Sequence, residues 1–160
     1  MSTEVPLVPP TGLRFVIGSD HAGYELKEHI RQYLIQNGND VVDLVPEFQE
    51  RIEFPPVAAD VARQAVADPE LMGILVCGSG IGMCIAANKV PGARAAVLWT
   101  EKLAELGRTH NNLNVLVFAG RMMEFPQTRR NIETFFAHSF LQGKYADRNA
   151  TIARIECGEA

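Results

Sequence analysis

The chain has 160 residues, 47% of them hydrophobic and 21% charged, with a net charge of −4. That length carries one domain with a full core, and the composition is that of an ordinary globular protein. The acidic balance, without any block of five or more Lys/Arg, excludes a general attraction to nucleic acid or to an anionic membrane surface. No segment approaches the ~18 uninterrupted apolar residues of a membrane span. There are three cysteines, Cys77, Cys84 and Cys157, with no zinc-ligand spacing among them, so no metal is expected and a reduced, cytoplasmic setting fits.

In chain order, MSTEVPLVPPTG lacks a basic start and a long apolar run. It reads as a flexible, proline-stiffened tail over 1–12, leaving 13–160 as the domain. Leu13 to Ile17 is a short apolar strand closed by Gly18, and Ser19-Asp20 offers a helix N-cap. Ala22, Leu26, Ile30 and Leu34 recur at helical spacing until Asn37-Gly38. Val41 to Leu44 forms a second strand, followed by a polar, proline-bearing loop through Glu53. Pro55-Pro56 opens a helix whose apolar face is Val57, Ala58, Val61, Ala62 and Ala65.

Next comes an apolar run, Ile74 to Cys77, that stops abruptly at Gly78-Ser79-Gly80-Ile81-Gly82 and resumes at helical spacing to about Lys89. This is the pattern of a buried parallel strand, a tight glycine turn and a helix. Pro91-Gly92 turns the chain into a strand at Ala95 to Leu98, and Thr100 is an N-cap candidate for a helix to Arg108. After the polar break THNNLN, Val115 to Phe118 is the last strand. A long helix from about Pro126 is expected to bury Ile132, Phe135, Phe136 and Phe140, and a short helical tail spans about Ala146 to Ile155.

Five strands alternating with helices predict an α/β fold. It is a single-domain, doubly wound (Rossmann-like) five-stranded parallel sheet with right-handed crossovers, helices on both faces and a C-terminal helical tail. Ligands in such folds sit beyond the carboxyl ends of the strands. That edge collects Ser19-Asp20-His21, Cys77 to Gly82, Thr100-Glu101 and Gly120-Arg121. His110-Asn111-Asn112 falls on the opposite edge, so only a neighbouring subunit brings it to the site. A homo-oligomer is therefore expected.

The glycine turn joins a thiol to an anion cradle, because N–H groups at a helix start have no intrahelical partner. Cys77 is either a small buried core residue or a thiolate favoured by the turn, usable as base or nucleophile. The loop lacks the arginine of a phosphatase loop, Met83 occupying that place. It also lacks the last glycine of G-x-G-x-x-G, and no GK[ST] follows. Ser79 is either a turn residue or a proton carrier between the oxygens of a bound diol. Asp20-His21 is a helix cap or a carboxylate–imidazole pair at the ligand edge. Arg121 is a surface charge or a phosphate ligand. His29, His138 and Cys84 fall within helices and receive no functional role.

Together, GSDHAGYELK, CGSGIGMCIAANKVPGARAA and RTHNNLNVLVFAGRMM resemble the ribose-5-phosphate isomerase B / galactose-6-phosphate isomerase family, from about Leu13 to Ile155. The resemblance implies a cofactor-free aldose–ketose isomerase of a phosphorylated sugar, working as a dimer or tetramer with shared sites. It makes Cys77 the base for the C2 proton, with Gly78, Ser79, Gly80, Ile81 and Gly82 holding the enediolate. Ser79 would assist proton movement, His110 would open the furanose ring and Asn111 would accompany it. Asp20 and His21 would contact the sugar, with Arg121 and Arg148 on the phosphate. A subfamily uses a Glu as base at the place of Met83, so this chain goes with the cysteine type.

Two departures bear on the substrate. The tail motif has an arginine, often followed by histidine, and a second arginine four residues on; read from Arg148, Asn149 and Ile152 take the latter places and Arg154 lies beyond. Phe54 stands where a tyrosine is common. Ribose 5-phosphate is the expected substrate, with tetrulose phosphate, allose 6-phosphate and galactose 6-phosphate open, as is a non-catalytic sugar-phosphate-binding domain. A thiol-dependent hydrolase would lack a recognisable base and orienting carboxylate.

Overall fold

The computed structural model describes residues 6–159. Five strands alternate with helices: β1 (Arg14–Ser19), α1 (Tyr24–Gln36), β2 (Asp40–Asp43), α2 (Phe54–Ala67), β3 (Leu71–Cys77), α3 (Ile81–Ala87), β4 (Ala95–Val97), α4 (Glu101–Thr109), β5 (Val115–Ala119), α5 (Phe125–Ala137) and α6 (Lys144–Glu156). The strands form one parallel sheet in the order β2-β1-β3-β5-β4.

Continuous apolar strands are buried on both faces, as parallel sheets require. On one face Phe15, Ile17, Ile74, Val76, Leu116 and Phe118 pack against Leu26, Ile30 and Leu34 of α1, Ala104 of α4, and Ile132 and Phe135 of α5. On the other, Val16, Leu75, Val115 and Val117 meet Ala58, Val61, Ala62 and Ala65 of α2 and Met83 and Ala87 of α3. The small residues of α2 and α3 let those two helices approach the sheet closely.

The chain leaves β1 for β2 on one side, then crosses to β3 on the other. The crevice between the carboxyl ends of β1 and β3 is thus the topological switch point, where this class of sheet binds ligands.

Several boundaries differ from the sequence reading. Gly18 does not close β1, because Gly18 and Ser19 continue the ladder opposite Leu75 and Val76. The N-cap of α1 is accordingly Gly23, not Ser19-Asp20, and Asp20 acts earlier: its Oδ1 accepts from Gly23 N at 2.8 Å. Phe140 lies beyond the end of α5, and α6 begins at Lys144, two residues before the expected start at Ala146, burying none of its residues. Of the expected tail over 1–12, residues 1–5 lie outside the described residues. The part nearer β1 is tied to the α1–β2 turn by Gly12 N to Gly38 O (3.2 Å) and Asn39 Nδ2 to Pro10 O (2.8 Å).

A buried lysine anchors the loop between β2 and α2. Lys27 on α1 has no solvent exposure, and its ammonium donates to Asp43 Oδ2, Glu28 Oε1 (2.7 Å) and Val45 O (2.7 Å). Tyr24 Oη donates to Pro46 O at 2.9 Å one helical turn earlier. These bonds fix the start of the segment that reaches the site at Ile52 and Phe54. Among the described residues, no helix is long and apolar enough to cross a membrane, and no cluster of three His/Cys/Asp/Glu is placed to hold a metal ion.

Candidate active site

A cleft of about 540 Å³ opens at the switch point, lined by Asp20, His21, Ala22, Phe54, Cys77, Gly78, Ser79, Gly82, Arg121 and Met122. Its size suits a small metabolite. The side chains come from the exits of β1, β3 and β5 and the start of α2, elements held together by the sheet. The exits are themselves bonded to one another. Asp20 N donates to Val76 O (3.2 Å), Gly120 N to Cys77 O (2.7 Å) and Arg121 N to Gly78 O (3.1 Å).

Cys77 is the last residue of β3, 5% exposed, with its thiol free. After it, the N–H groups of Gly78, Ser79 and Gly80 donate to no acceptor among the described residues. Gly80 stands at φ +77°, the left-handed region, and a Cβ there would lie 2.9 Å from Val97 Cγ1. Only glycine turns the chain this sharply without strain. Ser79 Oγ accepts from Ile81 N at 3.3 Å, so the hydroxyl proton remains free to be donated elsewhere. The result is a thiol and a hydroxyl beside three unpaired donors, a suitable place for a developing oxyanion.

His21 is exposed, and its Nδ1 accepts from Ile52 N at 3.4 Å. That bond puts the ring proton on Nε2, free to donate to a ligand oxygen. Arg121 lies across Gly78, within 3.3 Å of where a Cβ would sit, and makes no ion pair among the described residues. It is a cation available to an anionic ligand. Phe54 lies against Gly82 and presents an apolar wall where a phenol would have supplied a donor. The exposed Met122 beside Arg121 also lines the cleft and carried no sequence signal.

Some sequence-predicted residues are elsewhere. Thr100 and Glu101 serve α4: Thr100 Oγ1 accepts from Leu103 N (3.2 Å), and Glu101 pairs with Arg130 (2.9 Å). Their strand is at the sheet edge, with β5 between it and β3, so the cleft does not reach them. Gly80 is buried, and the exposed Ile81 side chain does not line the cleft. His110, Asn111 and Arg148 are at the other end of the sheet, as the reading of His110 required.

There, His110 and Asn111 border a groove of about 510 Å³ with Arg94, Leu103, Leu106, Asn149 and Ile152. The His110 ring stacks on Tyr145, centroids 4.0 Å apart and planes at 11°. Arg94 donates to the carbonyls of Asn111 (3.1 Å) and Asn112 (3.0 and 2.9 Å), and burial pulls its guanidinium below its ordinary pKa. Lys144 and Arg148 flank the Tyr145 ring at 5.2 and 5.7 Å.

On α6, Lys144, Tyr145 and Arg148 thus form a cation, a ring and a second cation four residues on, beside His110. Ile152 lines the apolar groove, and Arg154 belongs to the last turn of α6. Lys144, Tyr145 and Arg94 were missed; a cation four residues before Arg148 was the available signal for the first.

A family model described as Ribose/Galactose Isomerase matches residues 15–152. Ribose-5-phosphate isomerase B of Mycobacterium tuberculosis is 40% identical over 126 residues, covering 78% of each chain. The Escherichia coli protein of that name is 36% identical over 144 residues, 89% of this chain and 96% of that one. Among solved structures, ribose 5-phosphate isomerase from Thermotoga maritima aligns with a TM-score of 0.86 at 36% identity, covering 89% of this chain and 99% of that one. Ribose-5-phosphate isomerase B from Mycoplasma genitalium, with bound ribulose-5-phosphate, aligns with a TM-score of 0.87 at 35% identity, covering 92% and 99%. With a fold and a sequence that agree over nearly the whole chain, this protein belongs to the ribose/galactose isomerase family.

Proposed function

We propose that this chain is an aldose–ketose isomerase that interconverts ribose 5-phosphate and ribulose 5-phosphate through a cis-enediolate. The observation that carries the reading is the Cys77 turn: a thiol closing β3 beside three unpaired N–H donors, with Arg121 across the same cleft. The Cys77 thiolate removes the proton from C2 of the open-chain aldose, and the resulting thiol returns it to C1. The N–H groups of Gly78, Ser79 and Gly80 stabilise the oxyanion that forms between the two steps. Ser79 passes the hydroxyl proton from O2 to O1. Asp20 and His21 hold the sugar, and Arg121, together with Lys144 and Arg148 of a second copy, holds the phosphate, whose binding positions the reacting carbons.

His110, with Asn111, serves the cleft of a second copy and opens the furanose ring there by moving a proton between the anomeric hydroxyl and the ring oxygen. The separation of His110 from Cys77 within one chain supports such a shared site, and so do the exposed apolar side chains Ile81, Ile85, Trp99 and Leu103, the last of which lines the groove beside His110. We place the homo-oligomer, a dimer or a tetramer, in the cytoplasm, a compartment that suits its three free thiols.

The test is incorporation of solvent deuterium at C2 across tetrose, pentose and hexose phosphates, with EDTA present. Exchange into ribose 5-phosphate, lost in Cys77→Ala, is the expected result. Absence of exchange with every sugar overturns the reading; exchange confined to tetrose or hexose phosphates changes the substrate and keeps the reaction.

A further inference from the structure

Neither ring nitrogen of His110 has a hydrogen-bond partner among the described residues, so nothing but packing orients the imidazole. The packing is specific. Tyr145 covers one face of the ring in a near-parallel stack at 4.0 Å, which fixes the plane and leaves both nitrogens free at the edge. The backbone beneath is held just as directly. The Arg94 fork takes the carbonyls of Asn111 and Asn112 together, and Asn149 Nδ2 adds a second donor to Asn111 O at 3.1 Å.

Asn112 itself sits at φ +47°, an uncommon conformation for a non-glycine, and its side chain accepts from Arg108 Nη1 at 2.6 Å. A strained residue held by two arginines is a loop with one conformation imposed on it. Meanwhile α6 buries no residue of its own. Its contacts with the body include Tyr145 on His110 and Asn149 on Asn111, one helical turn apart.

We propose that Arg94 and Tyr145 are positioning residues for ring opening: Arg94 fixes the backbone that carries His110, and Tyr145 fixes the plane of its imidazole. The proposal rests on the ring-opening role given to His110 above. A histidine that transfers a proton to one defined oxygen needs its edge aimed at that oxygen, and an exposed loop does not supply this unaided. The alternative is that the stack and the clamp merely anchor α6.

The chemistry of the substrate separates the two. Ribulose 5-phosphate has its C5 oxygen esterified and cannot close a furanose, so exchange of its C1 hydrogens with solvent needs Cys77 but no ring opening. Ribose 5-phosphate is a furanose and needs both. In Arg94→Lys, which replaces a fork by a point charge, and in Tyr145→Leu, kcat/KM for ribose 5-phosphate should fall about tenfold or more. Deuterium incorporation at C1 of ribulose 5-phosphate should stay within about twofold of the parent in the same variants. Tyr145→Phe, which keeps the stack, should restore the rate on ribose 5-phosphate.

Equal losses in the two assays would mean a structural role only, and no loss in either would also overturn the proposal. His110→Ala distinguishes the failures. If that variant keeps full activity on ribose 5-phosphate, the ring-opening role falls and this proposal with it. If it is slow while Arg94→Lys and Tyr145→Leu are not, the proposal alone falls.

Discussion

Cys77 and His110 lie at opposite ends of the same sheet. Cys77 pairs with Ala119 at the carboxyl end of β5, whereas His110 caps α4 in the segment that enters β5 at Val115. At ~3.3 Å per residue the strand alone separates them by roughly 13 Å, and one pentose phosphate cannot engage both within a chain. If the sites are shared, mixing inactive partners should rescue activity. Cys77→Ala and His110→Ala, each assayed alone on ribose 5-phosphate, should be nearly inactive. Co-refolded in equal amounts they should recover about one quarter of parental activity, because half of random dimers are mixed and each mixed dimer has one intact site of two. Recovery no greater than the sum of the parents would mean that each chain completes its own site.

Lys27 is a second test of the frame, remote from the chemistry. Its side chain is fully buried, and that of Asp43 is 9% exposed. Lys27→Met removes the nearer cationic partner of the largely buried Asp43 and leaves it only Arg31 at 3.8 Å, which should cost about 3 kcal/mol in urea unfolding. Lys27→Met combined with Asp43→Leu should recover a large part of that loss, since no charge is then left buried. A loss below about 1 kcal/mol in the single variant would show that the pair is not stabilising.

The same cluster sets an acid limit. The hydrogen bond from Arg31 holds the Glu28 carboxyl at about 2, below its ordinary 4.5, with Lys27 assisting and burial opposing. Because the folded state binds this proton more weakly than the unfolded state, the stabilisation is complete above about pH 4.5 and is lost as pH falls towards 2. The urea midpoint should therefore fall over that window, and Glu28→Gln should flatten part of the decline. An unchanged pH profile in the variant would rule Glu28 out as a source of the acid sensitivity.

Gly80 links the fold to catalysis. Gly80→Ala forces a Cβ into the left-handed region and against Val97, and should cost about 1–2 kcal/mol. The displaced turn should also lower kcat/KM by about tenfold or more, since oxyanion donors act only when correctly placed. Gly38→Ala is the control: Gly38 has the same φ of +77° but ends the turn before β2, far from the cleft. It should lose similar stability and keep its activity.

Much of this was legible in one dimension. The apolar runs at Phe15–Ile17, Ile74–Cys77 and Val115–Phe118 are continuous because both faces of a parallel sheet are covered, and the helices between them show the period of one buried face. Asp20, His21, Cys77, Ser79 and Arg121 could be collected because each ends a strand or lies within two residues of its end, and strand ends in this topology share one edge. Residues whose role depends on a partner distant in sequence were not legible. Lys27 looks like a surface lysine on α1 until Asp43 and Val45 are brought onto it. Arg94 looks like an ordinary edge charge until the turn at Asn111-Asn112 folds back over it. The tail was opaque for the same reason: Lys144 stands four residues before Arg148, but only the stack of Tyr145 on His110 shows that this turn of α6 faces the histidine.

The amino-acid sequence by itself determined the α/β class and the glycine turn after Cys77. These are local properties, written in hydrophobic period and in backbone freedom at successive residues. The tertiary structure decided which groups share a cleft, that Thr100 and Glu101 are not among them, and that the C-terminal helix faces His110 through Tyr145 and Asn149. Those depend on strand order and on the docking of a helix with no buried face, for which chain-local periodicity has no signature.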